Sequence, residues 1–249
     1  MAIAGNGVIY LQDIITQEAQ SYVSRSNGTT QQPINLMSRA KFNPNLQSEW
    51  FNAVMAVINN ITILTVILTG AALLREREHG TIEHLLVMPV KPTEIMLAKI
   101  WANGLVIVPA ALASLLLVVQ GVIQVPIAGS MTLFGAGAVL YVISVAALAI
   151  LLATFTGSMG QFGLLALPVL IALNLLSGST TPMESMPKWL QDVMQFMPTP
   201  HFVSFAQAVL YRAAGLDIVW PQLAALAAFS VGFFAISLTR FRTAIVSFQ

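Results

Sequence analysis

FNAVMAVINNITILTVILTGAALLREREHGTIEHLLVMPV, residues 51–90, changes character within one residue step. From Phe51 to Leu74 it carries no charge and exceeds the roughly 20 residues a helix needs to cross about 30 Å of hydrocarbon. Arg75-Glu76-Arg77-Glu78 follow directly, so the helix leaves lipid there, with opposite charges three apart, such as Arg75 and Glu78, on one face. Gly80 permits a turn, Thr81 can cap a new helix, and Ile82, Leu85 and Leu86 give that helix one apolar face opposite Glu83. Pro89 and Pro92 stop it, and Thr93-Glu94 opens a second span with an acid at the helix's positive end. A short amphipathic helix at a membrane interface is expected. It reads either as an anchor in the interface or as a docking surface for a partner. A metal site fits poorly, because His79 and His84 stand five apart, outside the zincin spacings, so no metal is assigned.

The rest of the chain agrees with a membrane setting. Of its 249 residues 57% are hydrophobic and 8% charged, against about 25% charged in soluble domains. Eleven Lys and Arg against ten Asp and Glu leave +1, with no basic face, so nucleic acid is not expected as a partner. Cysteine is absent, which removes thiol nucleophiles and Cys-ligated metals. The expected fold is all-α, a polytopic helical membrane protein with about five transmembrane helices near Phe51–Leu74, Ile95–Val119, Leu133–Thr154, Phe162–Leu176 and Ile218–Leu238. Pro168 lies inside the short fourth stretch, which reads as a full span or as a kinked, partly re-entrant element.

Orientation follows from the basic residues. Arg75, Arg77, Lys91 and Lys99 flank the first connection and Arg240 and Arg242 follow the last span, so both sites are expected on the cytoplasmic side. Residues 1–50 then form an extracytoplasmic N-terminal segment, 51–249 form the transmembrane domain, and the C-terminus is cytoplasmic. The start MAIAGNGVIYLQDI has neither region of a signal peptide, and a missing upstream helix accounts most simply for this topology.

Within the first span Asn59, Thr62, Thr65 and Thr69 share one arc of the helical wheel, while Asn60 points elsewhere. Polar groups at bilayer depth face protein or a water-filled path, so helix–helix hydrogen bonding and substrate contact both remain open for them and for Asn174. No acid, Lys or Arg lies well inside a span, against an ion-coupled carrier. No buried Ser/His/Asp set or paired acids argue for hydrolysis, and no G-x-x-x-x-G-K-[ST] loop is present. The chain is therefore expected to be no enzyme and to hold no cofactor.

The run Arg77-Glu78-His79-Gly80-Thr81-Ile82-Glu83-His84-Leu85-Leu86-Val87-Met88-Pro89, then Glu94-Ile95 and Lys99, resembles the R-E-x-G-T-x-E-x-L-L-x-x-P pattern of ABC-2 type permeases, membrane subunits of ATP-binding cassette exporters. It looks most like the YhhJ-like inner-membrane permeases. Leu176 to Pro187, followed by Met197-Pro198-Thr199-Pro200-His201-Phe202 and Tyr211-Arg212, is similar to the external helical hairpin that such permeases place before their last span. Trp189, Phe196 and Phe202 read there as interfacial anchors.

The resemblance implies a multi-pass protein of the bacterial inner membrane, working with a second permease subunit and with cytoplasmic ABC ATPases that carry the ATP and Mg. It implies ATPase coupling through Arg75, Glu76, Arg77, Glu78, Gly80, Thr81 and Glu83, with the ATPases docking on the Arg75 to Leu86 region and its cytoplasmic amphipathic coupling helix. A substrate path would use Asn59, Asn60, Thr62, Thr65 and Asn174, and an external hairpin Pro182, Glu184, Pro187, Pro198, His201 and Arg212. Family members usually have six spans, so an absent first span leaves the alternative of a truncated, non-transporting scaffold or remnant.

Overall fold

The computed structural model describes residues 14, 17, 48–79 and 91–246. The chain divides into two compact units between Phe51 and Asn52, and the second holds nearly all of the described residues. The expected external segment 1–50 and the expected coupling helix lie almost wholly outside the described residues.

The described residues are helical, without strands. In chain order they form α1 (Ser48–Glu78), α2 (Pro92–Ala113) continuing as a π-helix (Ser114–Val122), α3 (Met131–Thr154), α4 (Met159–Leu175), a 3-10 turn (Met183–Ser185), α5 (Lys188–Gln195), α6 (Pro198–Arg212) and α7 (Leu216–Val246). Among the described residues four helices are long and apolar enough to cross a membrane: Trp50–Glu78, Pro92–Val122, Met131–Thr154 and Leu216–Phe241. The fifth expected span, α4, has 17 residues and reaches about 25 Å, short of a full crossing.

Local signals set the helix starts. Pro92 occupies the first turn of α2, where its missing N–H costs nothing, and Glu94 Oε2 accepts the Lys91 N–H at 3.0 Å. Ser130 and Ser158 cap α3 and α4 by accepting from Leu133 N and Gln161 N, each at 3.3 Å. Pro198 starts α6, which ends at Ala213 in the left-handed conformation with φ 51°.

Helix α3 is the hub, packed against α2, α4, α6 and α7. Its buried surface is rich in small residues, Gly135, Gly137, Ala138, Ala146, Ala147 and Ala149, which let neighbouring backbones come close. Ser230 Oγ donates to Leu140 O (2.9 Å) and Ser237 Oγ to Ala147 O (2.6 Å). Equal seven-residue steps on both helices mean that α3 and α7 run parallel. Helix α2 runs antiparallel to α1, since Lys99 meets Glu76 while Asn103, further along α2, meets the earlier Thr69.

Much of the hairpin before the last span is packed against other helices. Ten residues of α6 are buried, among them Thr199, Phe202, Phe205 and Val209, and the helix packs on α3 and α7. Trp189 and Phe196 are exposed as expected of anchors, but Phe202 is 0% exposed and stacks on Tyr141 with ring centroids 4.1 Å apart. Its ring belongs to the core because α6 presents it to α3 rather than to the interface.

Candidate functional site

Five helix ends meet at one end of the bundle: the C-termini of α1, α3 and α7 and the N-termini of α2 and α4. The charges after Leu74 hold them there. Successive residues of a helix point about 100° apart, so neighbouring side chains in Arg75-Glu76-Arg77-Glu78 reach different neighbours. Glu76 Oε1 pairs with Lys99 Nζ of α2 at 2.5 Å, with Lys99 only 10% exposed. Arg77 Nη1 donates to Ala153 O (3.2 Å) and Thr156 O (2.9 Å), a cation on carbonyls at the negative C-terminal end of α3. Glu78 Oε1 accepts the Met159 N–H at 2.8 Å, a carboxylate at the positive N-terminus of α4.

Arg75 points to solvent, and among the described residues no ion pair joins it to Glu78. The expected i, i+3 pairing gives way because Glu78 has a better partner in the unsatisfied N–H of α4. Arg75 instead receives His79 on its carbonyl, with Nδ1 at 2.7 Å and the donated backbone N–H at 3.0 Å. Arg240 completes the end from α7, its guanidinium 5.2 Å from the centre of the Phe155 ring. Gly80, Thr81 and Glu83 of the expected coupling set lie outside the described residues.

A second group of polar residues lies deeper. Tyr141 Oη is 2.6 Å from Thr62 Oγ1 and donates to Thr199 Oγ1 at 3.2 Å, which ties α1, α3 and α6 together near the middle of the bundle. Thr65 Oγ1 donates to Ile61 O at 2.6 Å, and Thr69 Oγ1 accepts from Asn103 Nδ2 at 3.1 Å. Thr62, Thr65 and Thr69 are all fully buried. Asn59 Oδ1 accepts from Ser179 Oγ at 3.0 Å, and Ser179 Oγ also lies 3.1 Å from Asn174 O. Asn59 and Asn174 therefore share one cluster where α4 ends, and the buried Asn174 Oδ1 has no hydrogen-bond partner among the described residues. Asn60 is exposed, away from both groups.

In the hairpin, Pro182 precedes the 3-10 turn and Pro187 precedes α5. His201 Nε2 is 2.9 Å from Gln195 O, and its ring centroid lies 5.4 Å from that of Phe229 on α7. Arg212 ends α6 at the surface. The side chain of Glu184 lies outside the described residues.

Sequence reasoning missed Lys99 as the partner of Glu76 and Asn103 as the partner of Thr69. The available signal was a Lys and an Asn entering an apolar span, each in need of a polar neighbour. The capping role of Glu78 left no such trace, since Met159 offers only its backbone.

A family model described as "ABC-2 family transporter protein" matches residues 3–239. The chain is 52% identical over 244 residues to Inner membrane transport permease YhhJ of Escherichia coli (strain K12), a match that takes in 98% of this chain and 65% of that protein. It is 31% identical over 215 residues to Probable multidrug ABC transporter permease YbhR of the same organism, covering 86% of this chain and 57% of that relative. Probable multidrug ABC transporter permease YbhS is 30% identical over 207 residues, covering 82% and 54%. The chain thus spans less than two thirds of the length of these relatives.

Proposed function

The chain belongs to the ABC-2 family of transporter proteins, and from that premise we propose that it forms the membrane-spanning permease part of an ATP-binding cassette exporter of the inner membrane. The observation that carries the reading is the distribution of Glu76, Arg77 and Glu78 to α2, α3 and α4. A load applied at this end of α1 reaches three other helices through charge-assisted hydrogen bonds, which are stronger than neutral ones and directional.

In this reading ATP and Mg sit on a separate cytoplasmic ATPase subunit, because the sequence offers no phosphate-binding loop of its own. The ATPase grips the Arg75 to Glu83 stretch, and its movement on nucleotide shifts α1 against the hub α3. Asn59, Asn60, Thr62, Thr65 and Asn174 flank the substrate path. Exposed Asn60 favours a second permease subunit as its neighbour over lipid. The hairpin of Pro182, Glu184, Pro187, Pro198, His201 and Arg212 closes the opposite end, coupled to the path through Thr199 and Tyr141.

The test is co-purification from detergent with candidate ATPase subunits, comparing the native chain with a Glu78→Lys, Glu83→Lys double variant. The native chain is expected to retain its ATPase and to stimulate its ATP hydrolysis, and the variant to lose most of both while still inserting into the membrane. Unchanged coupling in the variant would overturn the assignment.

A further inference from the structure

Between α1 and α2 a cleft of about 530 Å³ opens beside the Glu76–Lys99 pair. It runs from Glu94, in the first turn of α2, to Asn103, about 14 Å deeper along the helix axis. The cleft therefore descends from the level of lipid headgroups into that of the acyl chains. Its apolar wall is made by Ala72, Ala98 and Ala102, whose short side chains leave the space open.

The charge of the lining is unbalanced. Lys99 is neutralised by Glu76 at 2.5 Å, so two carboxylates against one ammonium leave one negative charge, carried by Glu94. One Glu94 oxygen accepts the Lys91 N–H, and a carboxylate has further lone pairs to offer. The negative C-terminus of α1 and the positive N-terminus of α2 flank the cleft and offset each other. Among the described lining residues no unpaired cation remains for an anionic head. A purely apolar ligand would leave the Glu94 carboxylate at the mouth of the cleft without a counter-charge.

We infer that this cleft binds an amphiphile with a single positive charge, its amine or quaternary ammonium head beside Glu94 and its apolar tail against Ala98 and Ala102. The volume lies within the roughly 300–1,000 Å³ of small-molecule sites. This goes beyond the proposed function and stands apart from it, since binding is read on the chain without ATP or an ATPase.

The experiment uses the whole 249-residue chain in nonionic maltoside micelles and a fluorescent alkyl trimethylammonium probe. Saturable binding of one probe per chain is expected, at least tenfold tighter than that of the same alkyl chain with a neutral head. Glu94→Gln should weaken it about tenfold. Ala98→Phe should abolish it, and because Ala98 and Ala102 are both exposed, the added ring fills the cleft rather than the core. An unchanged melting temperature checks this, and Ala102→Phe serves as the second filling variant. Zwitterionic phosphatidylethanolamine should compete at least tenfold more weakly, because its phosphate meets Glu94. Non-saturating partition, equal affinity for the neutral analogue, equal competition by phosphatidylethanolamine, or binding unaffected by the Glu94 and filling variants would each overturn the inference.

Discussion

Tyr141 places a phenol in the middle of an apolar helix, where an unbonded hydroxyl costs about 1–3 kcal/mol. The cost is avoided because Thr62 on one side and Thr199 on the other stand within hydrogen-bonding distance, while the ring stacks on Phe202 with an interplanar angle of 7°. The geometry separates two contributions of one side chain. Tyr141→Phe keeps the stack and removes the hydroxyl that joins three helices. Thr62 keeps Ile58 O as an acceptor at 3.3 Å, so the loss falls mainly on the link to Thr199. Destabilisation of about 1–2 kcal/mol is expected, read as a lower melting temperature in detergent. A melting temperature equal to that of the native chain would mean that the hydroxyl ties nothing together.

Among the elements, α6 shows most directly how packing overrides a local reading. Its sequence, PTPHFVSFAQAVLYR, carries polar residues and two prolines and is too short to span, which favours an interfacial helix. It is buried because α3 and the connection before it offer glycine where α6 comes closest. A Cβ at Gly137 would overlap the ring of Phe205, and one at Gly129 would run into the carbonyl of Val209. Gly137→Ala should therefore lift α6 away from α3 and cost about 1–3 kcal/mol by overpacking, although alanine favours helices. Proteolysis of the 176–215 segment in detergent should become faster in this variant. A rate no faster than that of the native chain would mean that α3 accepts the methyl without moving α6. Helix α4 is governed in the same way at both ends. It begins on the Glu78 carboxylate and ends at the Asn59–Ser179 cluster, and Gly70 lets the Phe162 ring lie directly against α1, where a Cβ would overlap it.

At the scale of the whole molecule, basic residues are gathered more densely at one end of the bundle than at the other. Arg75, Arg77, Lys91, Lys99 and Arg240 gather at the first, while the connection from Ile123 to Ser130 carries none. By the positive-inside rule the end with Arg75, Arg77, Lys91, Lys99 and Arg240 is expected in the cytoplasm. The absence of cysteine makes this testable without removing any background thiol. In spheroplasts an impermeant maleimide should label Ala128→Cys and leave Gly157→Cys unlabelled until the membrane is opened. The reverse pattern would invert the orientation and with it the side on which an ATPase could dock. The exposed faces are apolar over long stretches, with Leu105, Leu117, Leu164 and Val231 each more than two thirds exposed, which is the surface a bilayer requires of a chain with mean hydropathy +0.79.

The class of fold, the long spans, the abrupt end of the first span and the family were legible from the residues alone, because these reside in local properties: hydropathy over about 20 residues, proline and serine at helix starts, and an ordered motif. The arc of Thr62, Thr65 and Thr69 was equally legible, since helical period alone places them on one face. Where each polar group goes became visible only in the packed bundle. Glu76 finds Lys99 23 residues on, Arg77 finds carbonyls 76 and 79 residues on, and Asn59 finds Ser179 at a separation of 120. The packing of α6 against α3 and the burial of Phe202 belong with these. A hydrogen bond or a ring stack needs its partner within a few ångströms, and close approach is set by how helices pack around small residues on a neighbour, which the period of either helix alone does not encode.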